Sequence, residues 1–276
     1  MDLVLLIQGC IIAIVQGITE FLPVSSTGHM ILVGHLIGFE SDFSKVYEIF
    51  IQLGTILAVP VLFRKRFLKT LRHLKPGQEG FVFWSKIALA CVPAGLLGLL
   101  IKDVIDQYLM YPLPVAFSLI IGSLFILGVE YKRKHASEEQ IKKQANSLFD
   151  ISYKQAIGIG VYQCLALWPG FSRSAATIMG GCLMGLNSVT AAEFSFFLAM
   201  PMMVLTSGYS LYKSGLIFSS TELLVLGIGF FLAFIVAIIV IAKFVKFLQT
   251  KPFTVFAYYR LVIGMLFLVL SMVNWL

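Results

Sequence analysis

Between Gln16 and His29 the chain sets an amide (Gln16), a carboxylate (Glu20), three consecutive hydroxyls (Ser25, Ser26, Thr27) and an imidazole (His29) around Pro23. These are the groups of a nucleophilic displacement. A serine attacks well only when a base takes its proton, and His29, three residues after Ser26, lies within reach on the first turn of a helix. Ser26 is therefore the expected nucleophile, with His29 as its base or as the acid for the leaving oxygen; a purely structural histidine is the alternative. Gln16 and Glu20, four residues apart, share one helix face. Their oxygens can help hold a hard divalent cation, Mg²⁺ or Ca²⁺, that bridges to phosphate oxygens. A simple hydrogen-bonded pair is the competing reading.

A second stretch, Gln163 to Ser174, repeats the pattern, with Pro169 followed by Ser172, Arg173 and Ser174. Both prolines break a helix, and the hydroxyl residues after them can cap the next one. Such a helix start offers unpaired N–H groups and the positive end of the helix dipole, which together cradle an anion. Ser25, Thr27, Ser172 and Ser174 are thus expected to contact phosphate, and Arg173 adds a planar fork of donors. The alternative for Arg173 is an ion pair with a buried glutamate such as Glu193.

The elements that must position these groups lie in a membrane. The chain has 276 residues, 59% hydrophobic and 13% charged, with a mean hydropathy of +0.92. That composition excludes a soluble domain. Apolar runs long enough to cross about 30 Å of hydrocarbon as helices recur along the chain, so the expected class is an all-α polytopic membrane protein. The N-terminus, with Asp2 and no basic region, does not read as a signal peptide. The formal charge of +7 resides in basic loops between spans, which argues against a nucleic-acid partner. Cys10, Cys91, Cys164 and Cys182 lack metal-ligand spacing and read as small apolar residues. Arg260, near one end of the last span, is expected to snorkel to the surface.

Six spans are expected, at about 46–63, 86–101 and 113–131, then 190–211, 222–242 and 254–275. A shorter re-entrant helix-loop-helix hairpin precedes each set of three, at about 3–38 and about 153–187. Basic loops at 64–86 and 132–154 and the lysines 243, 246 and 251 fall on one side only if the halves, 1–133 and 152–276, form an inverted-topology repeat within a single membrane domain. Ser26 and Ser172 each stand three residues after a proline, and Glu48 and Glu193 follow the breaks as candidate supporting carboxylates. Inverted repeats with broken helices place the ligand where the two breaks meet. That architecture also suits a lipid-phosphate transporter or flippase, which is the rival to a phosphatase.

The segments Gln16–His29 and Gln163–Thr177, the Glu193-Phe194-Ser195-Phe196 run and the length resemble the bacterial undecaprenyl-diphosphate phosphatase family of the bacitracin-resistance type. The resemblance covers essentially the whole chain. It implies hydrolysis of the C55 isoprenyl diphosphate to the monophosphate, which recycles the carrier for peptidoglycan synthesis, in a bacterial plasma membrane with the site open to the external face. It further implies a divalent cation, and a homodimer is an assembly it allows. Its acidic motif falls on Gln16 and Glu20, its hydroxyl and histidine positions on Ser26, Thr27 and His29, and its phosphate segment on Ser172, Arg173 and Ser174. The first acidic position is often glutamate in the family and is Gln16 here, which leaves Glu20 as the principal expected metal ligand.

Overall fold

The structure, a computed structural model, describes residues 2–214, 218–273 and 275, and in them the chain is helical. Helices α1 (Leu3–Thr19) and α2 (Ser26–Ile37) flank the first break, and α3 (Asp42–Leu62), α4 (Arg64–Arg72), α5 (Glu79–Leu100), α6 (Lys102–Val104) and α7 (Pro112–Lys134) follow. After the short α8 (Glu138–Lys142), helices α9 (Tyr153–Gln163) and α10 (Arg173–Leu183) flank the second break. Then come α11 (Ser188–Ser214), α12 (Ser220–Leu248) and α13 (Thr254–Met272).

Among the described residues α3, α5, α7, α11, α12 and α13 are long and apolar enough to cross a membrane. Each overlaps one of the six expected spans; residues 274 and 276 lie outside the described set. Their outer faces carry large exposed apolar side chains, such as Leu96, Leu99 and Leu100 on α5 and Val262, Met265 and Val269 on α13. Lipid covers such a surface without cost; water would not.

Several boundaries differ from expectation: α12 runs to Leu248 and takes in Lys243 and Lys246, and α8 lies inside the expected basic loop 132–154. The basic stretch 64–86 is not a loop: Arg64–Arg72 is helical, and α5 begins at Glu79, so that Lys86 lies inside it and is buried. The Phe81-Val82-Phe83-Trp84 run starts the helix earlier than a charge count suggests, and Lys86 is held by the Phe149 carbonyl and the Tyr153 ring. The stretch after α5 that carries Asp103 is also helical, with a single π-helical turn at Ile105–Leu109.

Helix α1 packs on α12, and α9 packs on α5; α3 lies against both α11 and α12, and α7 pairs with α13. Two glycines set the depth of the first two contacts. A Cβ at Gly17 would stand 2.9 Å from the Ala233 carbonyl oxygen, and one at Gly160 would stand 2.4 Å from that of Ala90. Neither position tolerates a side chain without the helices parting. Among the described residues the largest of three buried apolar clusters gathers around the aromatic run of α11, where Phe194, Phe196 and Phe197 are fully buried and Phe21 meets Phe196 edge-on at 5.4 Å.

Arg260 corrects the sequence reading most sharply. It is 0% exposed and does not snorkel. Its guanidinium donates to the carbonyls of Pro23 in the first break and of Gly170 and Phe171 in the second, and to Ser118 and Leu119 on α7. The space exists because residue 122 is glycine: a Cβ there would fall on the guanidinium. Backbone carbonyls in a helix break have no helical partner and must find a donor. Arg260 supplies it to both breaks at once.

Replacing Arg260 by methionine orphans three loop carbonyls, each worth about 1–3 kcal/mol. We expect destabilisation of about 3 kcal/mol or more and loss of the site's geometry, read by thermal unfolding in detergent. A methionine variant that melts with the wild type would show that the breaks hold themselves.

Candidate active site

The two breaks end alike. Ser25 caps α2 with φ +73°, and its hydroxyl accepts from the Gly28 amide; Ser172 caps α10 with φ +77°, and its hydroxyl accepts from the Ala175 amide. Among the described residues these are the only non-glycine positions with positive φ, a costly backbone state that persists where the surrounding structure imposes it. The structurally matching serines are therefore Ser25 and Ser172, not Ser26 and Ser172 as counting from the prolines suggests. Gly170 accounts for the extra residue in the second break. Ser26 and Arg173 then occupy equivalent first positions of their helices.

These positions open onto one cavity of about 220 Å³, whose wall includes Glu20, Ser25, Ser26 and Thr27 from the first break and Ser172 and Arg173 from the second. Glu20 is its hub. One carboxylate oxygen accepts from the Gln16 amide at 2.9 Å and from the Ser26 hydroxyl at 2.7 Å, and the other accepts from Arg173 at 3.2 Å. The Glu20–Arg173 ion pair joins residues 153 positions apart, with the carboxylate side chain 9% and the guanidinium side chain 16% exposed. Arg173 also donates to the Ser195 carbonyl, and Ser195 bonds the Thr177 hydroxyl one turn along α10. The Glu193-Phe194-Ser195-Phe196 run thus seats the second break: its aromatics fill the core while Ser195 fixes the arginine.

Other expected residues stand elsewhere. Ser26 is bonded to Glu20 and not to His29, whose Nδ1 lies 2.7 Å from the Ser25 carbonyl and Nε2 2.7 Å from the Tyr259 hydroxyl. With both ring nitrogens so engaged, the histidine is built into the cap behind the serines. Ser174 is turned from the cavity; its hydroxyl donates to the Leu22 carbonyl at 2.7 Å and ties the breaks together. Glu193 pairs with Arg66 on α4, which leaves Arg173 to Glu20. Gln52 reaches the cavity wall from α3, one turn beyond Glu48.

Among the described residues no group of three or more His, Cys, Asp or Glu side chains gathers to hold a metal. What the site offers a hard cation is the Glu20 carboxylate and the Oε1 of Gln16, a buried amide oxygen without a hydrogen-bond partner. That pair is an oxygen donor set, and it suits Mg²⁺ or Ca²⁺ when phosphate oxygens and water complete the shell.

The sequence reading gives Tyr259 and Gln163 no role and sends Arg260 to the surface. Tyr259 and Arg260 lie about 230 residues beyond the first break in a span that reads as plain lipid-facing helix. Gln163 opens the second stretch, where its place ahead of Pro169 was the available signal.

Comparison with known proteins agrees with this arrangement. The family model described as bacitracin resistance protein BacA matches residues 9–266. A Clostridium tetani protein named undecaprenyl-diphosphatase is 46% identical over 98% of this chain and 97% of its own length. A protein of that name from Caldanaerobacter subterraneus subsp. tengcongensis is 44% identical over 98% of this chain and 97% of its own. The undecaprenyl-diphosphatase 1 of Bacillus anthracis is 43% identical over 96% and 97%. With both breaks, the α11 aromatic run and nearly the full length inside the match, the chain belongs to the bacitracin resistance protein BacA family.

Proposed function

We propose that the chain is a multi-pass membrane phosphatase that hydrolyses undecaprenyl diphosphate to the monophosphate and inorganic phosphate. The recycled carrier would serve cell-wall synthesis, and the activity would confer bacitracin resistance. The observation that carries this reading is the Glu20–Arg173 pair across the cavity, with a serine hydroxyl on the same carboxylate. The undecaprenyl-diphosphatase name of full-length relatives supports it.

Arg173 and the N–H groups at the starts of α2 and α10 bind the diphosphate, with Ser25 and Thr27 as further donors and Ser172 joining them when its hydroxyl turns from Ser174. Ser26 attacks the terminal phosphorus and passes its proton to Glu20, which already accepts its hydrogen bond. A Ser–O–P bond forms as the bridging P–O bond breaks, and the electron pair leaves with the lipid monophosphate. Glu20 hands the serine proton to the departing monophosphate oxygen; it then takes a proton from the water that attacks phosphorus and returns it to the displaced serine oxygen, and phosphate leaves. Phosphoryl transfer of this kind depends on positioning and charge stabilisation. Glu20 and Gln16 would hold Mg²⁺ or Ca²⁺, which when bound neutralises charge on the phosphate oxygens. His29 and Tyr259 act through the Ser25–Ser26 backbone, as positioning residues.

The two break-flanking pairs, α1–α2 and α9–α10, form re-entrant hairpins within halves 1–133 and 152–276, which make an inverted repeat. Several features support this. Each hairpin helix is short of a crossing, at 17, 12, 11 and 11 residues. The first helix of each hairpin packs on the middle span of the other half, α1 on α12 and α9 on α5. Placing α4, the α7–α9 connection and Lys251 on the cytoplasmic side by their positive charge opens the site outward.

Ser26→Ala and Glu20→Gln should each lower phosphate release by about 10³-fold or more, and the double variant should be little worse, because groups that act as a unit are non-additive. Arg173→Lys should fold normally and lose most activity, since lysine lacks the bidentate fork. Multiplicative losses at 20 and 26 would separate the carboxylate from the serine. For topology, single cysteines at 70–78 or 138–146 should resist an impermeant thiol reagent in intact cells, while those at 38–42 label. Equal labelling of both sets would overturn the orientation.

A further inference from the structure

Gln163, the last residue of α9, is 2% exposed, and neither its Oε1 nor its Nε2 has a hydrogen-bond partner. It nevertheless lines the cavity that holds Glu20, Ser26 and Arg173. An unpaired buried amide is destabilising, because it gives up bonds to water and receives none in return. Native structures keep such a group where something else completes it.

Its placement is fixed from both sides. Gly160, one turn earlier, seats α9 against the Ala90 carbonyl, and the chain tightens immediately afterwards into the 3₁₀ turn Cys164–Leu167. Gln163 is the third residue after a glycine pressed on a carbonyl of a neighbouring span, as Glu20 is after Gly17. The second break thus presents a neutral amide where the first presents the carboxylate hub. The amide has two N–H donors and an acceptor oxygen. It can bond a phosphate oxygen through Nε2 and a P–OH group or the incoming water through Oε1. A carboxylate there would repel the diphosphate, and an apolar group would not orient it.

We propose that Gln163 is a further substrate-contacting residue, which binds the diphosphate head group through its side-chain amide from the second-break wall of the cavity. Arg173 and the helix ends supply attraction; Gln163 supplies direction. The assignment rests on the phosphatase reading above and adds to it a residue whose loss should weaken binding without weakening the fold.

The test uses purified full-length protein with Gln163→Leu and Gln163→Glu, and the methylene-bridged analogue of an isoprenyl diphosphate, which binds without being cleaved. Leucine is close in size and removes the unpaired atoms without orphaning any partner. Its ligand-free melting temperature should therefore equal or exceed the wild type's, while its analogue Kd rises about tenfold or more through loss of the amide's bonds to an ionised group. Glutamate should bind more weakly still. A leucine variant with wild-type Kd, or one whose ligand-free protein melts lower, would overturn the proposal, the second result marking a structural role. Wild-type protein that binds the analogue yet releases no phosphate from the parent diphosphate would sink the hydrolytic reading and leave the Gln163 contact standing. Wild-type protein that does not bind the analogue would remove both.

Discussion

A buried guanidinium that donates to both helix breaks is the constraint on which this fold depends. Breaking a helix at membrane depth strands backbone carbonyls where no water reaches them, and each must be paired within the protein. One break can be satisfied locally. Two breaks that face each other can share a donor, and Arg260 fills that role through the carbonyls of Pro23, Gly170 and Phe171. The sharing has a geometric consequence: the helices that start after the breaks are held with their N-termini at a single cavity. Burying a charge is expensive, and the outlay is recovered only because five carbonyls surround it.

The chemistry of the cavity follows from that convergence. Ser26 and Arg173 are the first residues of their helices, so each side chain stands where backbone N–H groups and the helix dipole favour an anion. Glu20 links them. An arginine supported on one side by the Ser195 carbonyl and on the other by a carboxylate would, in the proposed reaction, trade the carboxylate for phosphate oxygens. The positive φ at Ser25 and Ser172 is the local strain of turning the chain so tightly, and the His29–Tyr259 contact stabilises the first of these turns from behind. Ser174, expected to face the ligand, is spent on the Leu22 carbonyl and so contributes to holding the breaks together.

Much of the fold was legible in the sequence because membrane helices announce themselves by length and apolarity, and six spans follow from that alone. The two breaks were legible because proline followed by hydroxyl residues has few other meanings inside an apolar segment. What escaped were long-range pairings. Periodicity shows that Arg260 is a charge in a span, but not that a glycine at 122 opens a place for it inside. Spacing brings His29 near Ser26 along the helix, yet side-chain direction turns the ring to Tyr259 and leaves Ser26 to Glu20, six residues back across the break. Charge density made a loop of Arg64–Arg72, where an amphipathic helix instead carries Arg66 to Glu193. Contacts between residues far apart in the chain leave no local pattern, and both the buried clamp and the Glu20–Arg173 pair are of that kind.

In the proposed reaction Ser26, activated by Glu20, attacks phosphorus and forms a covalent intermediate. The stereochemical course at the terminal phosphorus reports whether that intermediate exists. Hydrolysis of an isoprenyl diphosphate whose terminal phosphorus is made chiral with sulfur and a heavy oxygen isotope, in water of a third isotope, releases a chiral thiophosphate. Two successive in-line displacements, first by serine and then by water, predict retention of configuration. Inversion would mean that water attacks the substrate in one step, and Ser26 would then be a binding group and not the nucleophile.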